Sequence, residues 1–217
     1  MVDIPLVIAQ SDFQRELSLV EERVAFSQAW VQFAYPSPIP AFRAEHRFLF
    51  MERIFLCAFQ AWEQFLEETF TLYYLGERSP SGVALTAKYP TTNREHAMFT
   101  MLQGKSYCEW SPVDNVLRLN NLIFLSSDQT CFSKLKLIRS KLDEIADIRN
   151  AISHRSDSSW IKFKNIARNK LSTGTLPHDL SVGKFLASPV PMSSPPAMFL
   201  DSYLEILRDG ASFVVPS

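Results

Sequence analysis

The stretch Ile145-Ala-Asp-Ile-Arg-Asn-Ala-Ile-Ser-His154 decides how the rest of the chain is read. Its isoleucines at 145, 148 and 152 are spaced by three and four, the neighbour spacing of a helix, and predict a buried side. Arg149, Asn150 and His154 crowd the remaining surface of the same two turns. Asn150 and His154, four apart, share a face, whereas Arg149 and His154, five apart, lie about 140° from each other around the axis. Long side chains at that separation can still reach one small anion lying across the helix. A guanidinium, an amide and an imidazole with no metal ligands nearby form a set suited to phosphate. A simpler origin stands beside that one: cations suit the negative end of a helix macrodipole whether or not anything binds there.

Upstream, Leu135, Ile138 and Leu142 extend the stripe, so the motif helix is expected from about Phe132 or Ser133 to His154. Asp143, Glu144 and Asp147 lie on its other sides, and Asp147 can restrain Arg149. Arg155 to Ser159 reads as a polar break, followed by a short basic helix from Trp160 to Leu171. A second long helix is expected from about Phe42 to Leu75, burying Leu49, Ile54, Ala58, Trp62, Phe65, Thr69 and Leu72, with Gly76 as its stop. Glu63 borders that stripe, either as an orienting carboxylate for Arg149 or as a solvated side chain. Ser11 is a candidate N-cap for a first helix over about 11–34, which the prolines between Pro36 and Pro40 end.

Residues 77–92 read as a turn-rich connector, after which Asn93 caps a short helix carrying Met98, Phe99 and Leu102. Trp110 is expected to pack back from a loop. Ser111-Pro112 opens another short helix carrying Val113, Val116, Leu117 and Leu122. His46 is expected at the surface, and neither His96 nor His178 has an assignable role. Residues 172–177 read as a loop and 187–196 as extended chain. A last helix over about 196–209 is expected to bury Phe199, Tyr203, Ile206 and Leu207, with Gly210 stopping it. No internal repeat and no run of strands emerges, so the class is all-α, with residues 1–217 forming a single domain.

At 47% hydrophobic and 12% aromatic residues, the 217-residue chain suits a globular core rather than a disordered one. No apolar run approaches the roughly 18 residues of a membrane span, and the N-terminus lacks a basic signal-peptide region. Membrane association is therefore not expected. Cys57, Cys108 and Cys131 are odd in number and scattered, which suggests reduced thiols of a cytoplasmic protein, with Cys57 as core filler. The net charge of −1 argues against indiscriminate coating of nucleic acid. Residues 134–170, however, hold ten Lys or Arg against four acids, while the remainder holds twelve against nineteen. That asymmetry suggests a local basic surface around the motif, or else a lysine-rich solvated face.

Arg149-Asn-Ala-Ile-Ser-His154 resembles the signature of the HEPN superfamily (higher eukaryotes and prokaryotes nucleotide-binding). In that signature an arginine, then a polar residue, precede a histidine near the end of a core helix. The run Phe59-Gln-Ala-Trp-Glu-Gln-Phe-Leu-Glu67 is similar to the family's first long core helix, where an Ala-Trp-Glu triplet is common in some prokaryotic branches. The resemblance covers about residues 44–171. It implies a four-helix up-down bundle core, here with extra short helices and loop insertions, and often a homodimer. Many such proteins are metal-independent ribonucleases of toxin–antitoxin and phage-defence systems, so the resemblance also implies RNA as substrate and an antitoxin or other neighbouring-gene protein as partner.

The chemistry is consistent with that. The chain has no carboxylate cluster of the two-metal kind, no HExxH, no CxxC pair, no Walker A loop and no nucleophile elbow. Accordingly no metal and no cofactor is expected. RNA can be cut without an ion because its 2′-hydroxyl is a built-in nucleophile. By resemblance, His154 is the general acid/base, Arg149 the phosphate clamp and Asn150 an orienting or phosphate-binding amide. One imidazole cannot be both base and acid in a single step, and a two-fold dimer would supply the second. Arg155, Lys162 and Lys164 are candidates for holding the RNA backbone. Two other readings stay open: a non-catalytic HEPN module binding nucleotide, RNA or protein, and a wholly structural helical protein.

Overall fold

A computed structural model describes residues 5–33, 44–194 and 196–217. Among them the protein is all-α, with eight α-helices: α1 (Pro5–Phe33), α2 (Ala44–Tyr74), α3 (Arg94–Leu102), α4 (Val113–Ile123), α5 (Arg139–His154), α6 (Asp157–Leu171), α7 (Val182–Leu186) and α8 (Phe199–Val214). No strand occurs among the described residues; three isolated bridges, such as Arg78 with Ala84, pin loops. The expected proline-rich turn at 36–40 lies outside the described residues. The helices divide into two compact units, one of residues 1–15, 61–143 and 206–217, the other of residues 16–60 and 144–205.

The first unit is built on aromatic packing. Phe13 of α1 stacks on Phe65 of α2 at 4.8 Å, and Phe70 packs against Phe132, Phe124 and Trp110 at 4.7, 5.2 and 5.5 Å. Trp110 folds back as expected and donates its indole N–H to Glu67 Oε2 at 3.0 Å. Asn93 caps α3 as expected, its Oδ1 accepting from the backbone N–H of Glu95 and His96. The buried residues of α3 are Ala97 and Met101, however, and Phe99 is exposed. In α4 Leu119 and Ile123 are buried while Leu122 faces out.

Residues Cys131–Ile138 form a 3₁₀ helix rather than the start of α5. Phe132, Leu135 and Ile138 are spaced by threes and all buried, which matches three residues per turn. Beyond Ile138 the buried spacing lengthens to Leu142, Ile145 and Ile148, and the chain becomes α-helical. The spacing that was read as one helix therefore encodes two.

Several other expectations change for packing reasons. The first helix already includes Pro5–Gln10 ahead of Ser11, so Ser11 is not its N-cap, and Leu6 is as buried as Phe13 one heptad later. Leu49 is exposed and Met51 buried instead, since Leu49 is out of phase with Ile54 and Ala58. Cys57 is exposed and is not core filler, whereas Cys131 is buried.

Gly210 does not stop α8, which continues to Val214. A Cβ there would lie 2.8 Å from Trp62 Cη2 and 3.4 Å from Ile138 Cδ1, so this glycine admits the indole rather than ending the helix. Gly210→Ala should lower the unfolding free energy by about 1 kcal/mol, overpacking outweighing the helix propensity that alanine restores. A thermal melt that rises would refute that balance.

The second unit carries the motif. Leu17, Val20 and Val24 of α1 and Met51, Ile54, Phe55, Ala58 and Phe59 of α2 are buried, as are Ile145, Ile148 and Ala151 of α5. Ile152 is only half-buried, Ala151 taking the inner position. Phe163 of α6, Phe185 of α7 and Phe199 and Tyr203 of α8 complete this core, Phe185 stacking on Phe199 at 4.6 Å. The helix α7 was not expected. Ser181 caps it, and Gly183 lies directly on the α2 backbone at Phe48. The polar break after α5 is only two residues long: Arg155 turns the chain at φ +46°, and Ser156 caps α6 by accepting from Ser159 N.

Candidate functional site

The last two turns of α5 present the motif. Arg149 is half-buried, with its guanidinium carbon 5.1 Å from the centroid of the buried Phe59 ring of α2. Its Nη1 donates to Asn150 Oδ1 at 3.0 Å. Stacking on an aromatic face contributes roughly 0.5–2 kcal/mol and limits the directions the guanidinium can take. With the Asn150 oxygen engaged by Arg149, the group that amide can offer an anion is its NH2. His154 is the final residue of α5 and is exposed. The helix thus holds an ordered Arg–Asn pair on one side and a solvent-accessible imidazole one turn further on.

Asp147 accepts from Lys162 Nζ at 2.9 Å, so the tie it makes runs from α5 to α6. Glu63 is half-buried, four residues beyond Phe59 in α2, and belongs to the other compact unit. Lys164 is half-buried in α6. His46 and His96 are exposed.

The basic segment is less available than its count suggests. Lys162 pairs with Asp147, Lys170 with Glu144 at 3.2 Å, and Arg155 lies 3.8 Å from Glu52. In the other unit Lys136 pairs with Asp128, and Arg139 with Asp114 and Asp143. Exposed pairs of this kind are worth little to the fold, and a phosphate can replace a carboxylate partner at small cost. They still lower the field that the sequence count implied.

Glu52 is the residue sequence reasoning missed. Its carboxylate is buried, with 8% of the residue exposed, and Oε1 accepts from the Gly183 backbone N–H at 3.0 Å. The sequence carried a signal: Glu52 lies three and seven residues before the buried Phe55 and Phe59, an inward phase for a carboxylate. Glu52 and Arg155 border a cavity of about 320 Å³ whose other walls include Leu49, Ile152, Trp160 and Val182. His154 immediately precedes Arg155 in the chain, so this cavity adjoins the end of the motif.

Other reactive groups are poorly suited to catalysis. Burial pushes the Cys131 thiol up to about 12, and burial likewise raises that of Cys108. Neither offers a ready thiolate at neutral pH. Tyr203, whose phenol is also held far up by burial and by Glu144, donates to that carboxylate. Among the described residues no group of His, Cys, Asp and Glu is arranged to hold a metal ion, and no helix is long and apolar enough to cross a membrane.

Comparison with protein-family models, curated proteins and solved structures finds no match to this chain.

Proposed function

We propose that this chain is a HEPN-type, metal-independent endoribonuclease acting as a cytoplasmic homodimer in toxin–antitoxin or phage defence. The observation that carries the reading is the exposed imidazole of His154, five residues beyond a guanidinium held by Phe59 and Asn150. Arg149 and the Asn150 NH2 hold the non-bridging oxygens and offset the charge gathering on phosphorus. His154 takes the proton from the ribose 2′-hydroxyl, which attacks the adjacent phosphorus, and the second copy's imidazole protonates the departing 5′-oxygen. The products are a 2′,3′-cyclic phosphate and a 5′-hydroxyl. Arg155, Lys162 and Lys164 exchange their present partners or surroundings for the RNA backbone.

The packing of Arg149 on Phe59 also favours a second reading, in which the motif stabilises a non-catalytic module that binds nucleotide or a partner protein. One assay separates them. Purified protein should shorten single-stranded RNA in excess EDTA, leaving cyclic-phosphate ends, and leave the matching DNA intact because it lacks the 2′-hydroxyl. Cleavage that appears only with Mg²⁺, or that consumes DNA equally, would discard the mechanism. Intact RNA under all conditions would favour the binding module.

A further inference from the structure

Resting on the ribonuclease reading, we propose that the cavity between Glu52, Arg155 and Trp160 is a nucleobase pocket selecting guanine next to the cleaved linkage. Its volume of about 320 Å³ falls at the small end of ligand sites, which run from roughly 300 to 1,000 Å³, and suits a single base. Leu49, Ile152 and Val182 supply apolar wall, and the half-buried indole of Trp160 supplies a face on which a base can stack.

The polar groups choose among bases. Glu52 Oε1 already accepts from Gly183 N–H, but Oε2 lies 3.8 Å from Arg155 Nη2, beyond hydrogen-bond distance. A carboxylate buried to this degree with an incomplete set of donors gains from additional N–H groups. An ionised carboxylate only accepts, so it matches a base edge with two adjacent donors. Guanine has that edge in N1–H and the N2 amine. Adenine and cytosine place an acceptor nitrogen beside their amine, and uracil sets its one N–H between two carbonyls that the carboxylate repels. Arg155, whose side chain is 72% exposed, is long enough to leave Glu52 and meet guanine O6 or the adjoining phosphate.

The test uses the full-length His154→Ala protein and calorimetric titration with the 3′-monophosphates of guanosine, adenosine, cytidine and uridine. The guanosine nucleotide should bind tighter than the uridine nucleotide by roughly tenfold or better, the discrimination of one bidentate base contact. Glu52→Gln keeps an oxygen for Gly183 N–H and so keeps the fold, yet should bring the four affinities within about twofold. Trp160→Ala should weaken all four together. Equal affinities in the parent protein, a preference that survives Glu52→Gln, or no binding at all would overturn the pocket. A guanosine preference in a wild-type protein that leaves RNA intact in EDTA would remove the ribonuclease reading and keep the pocket as a nucleotide site.

Discussion

The His154→Ala protein is expected to cleave single-stranded RNA about 10²- to 10⁴-fold more slowly than the wild type, the range typical of losing one general acid–base group. The fold should be nearly untouched, because His154 is exposed in the last turn of α5 and such substitutions fall within about 0.5 kcal/mol. That separation makes His154 a cleaner probe than Arg149. Arg149→Ala removes the contact with the Phe59 ring and the bond to Asn150, so a drop in its activity mixes chemistry with packing. Expression of the wild type should slow growth of its host more than His154→Ala does. Equal cleavage rates for the two proteins, with matching melting curves, would end the case for His154 as the proton-transferring residue.

Gly183→Ala should produce the largest stability loss of any single methyl addition in the second unit. The added Cβ would sit 1.9 Å from the carbonyl oxygen of Phe48 and 2.5 Å from its carbon. Both atoms belong to the backbone of α2, which cannot retreat without disturbing its own hydrogen bonds. The displaced α7 would also lose the Gly183 N–H bond to buried Glu52, leaving a carboxylate short of a donor. The expected cost is about 3 kcal/mol, the upper end of overpacking effects. In urea this should bring the unfolding midpoint down by about 1 M or more at ordinary m-values. Because Val182 and Glu52 border the cavity beside Arg155, the variant should also lose the guanosine preference. A midpoint unchanged within about 0.2 M would show that α7 does not press on α2 in this way.

Much of the helical layout was legible in the sequence because it depends on near neighbours. The stripe Ile54, Ala58, Trp62, Phe65, Thr69 and Leu72 placed α2 correctly, since i, i+3 and i+4 positions share a face in any helix. Asn93 marked the start of α3 because a cap acts on N–H groups two and three residues ahead. The motif Arg149, Asn150 and His154 was found at the end of α5 for the same reason, as its members occupy consecutive turns of one helix. Even the 3₁₀ segment was written in the threefold spacing of Phe132, Leu135 and Ile138, although that spacing was read as α-helical.

Three other errors concern residues whose role is set by chain far away. Gly210 looked like a terminator, and only Trp62 arriving from α2 explains why it is glycine. Cys57 looked like core because thiols bury easily, yet it lies on the outer side of α2. Asp147 was read as able to restrain Arg149, two residues on, while in the structure it accepts from Lys162 of α6.

By itself, then, the sequence determined an all-helical chain, most of its helix positions and the gathering of Arg149, Asn150 and His154 at the end of one helix. All of these follow from interactions spanning a turn or two. Only the tertiary structure decided that α7 exists against α2, that Glu52 is buried, and that a cavity opens beside Arg155. Those features rest on partners as distant as Glu52 and Gly183, 131 positions apart, a separation that no local periodicity can encode.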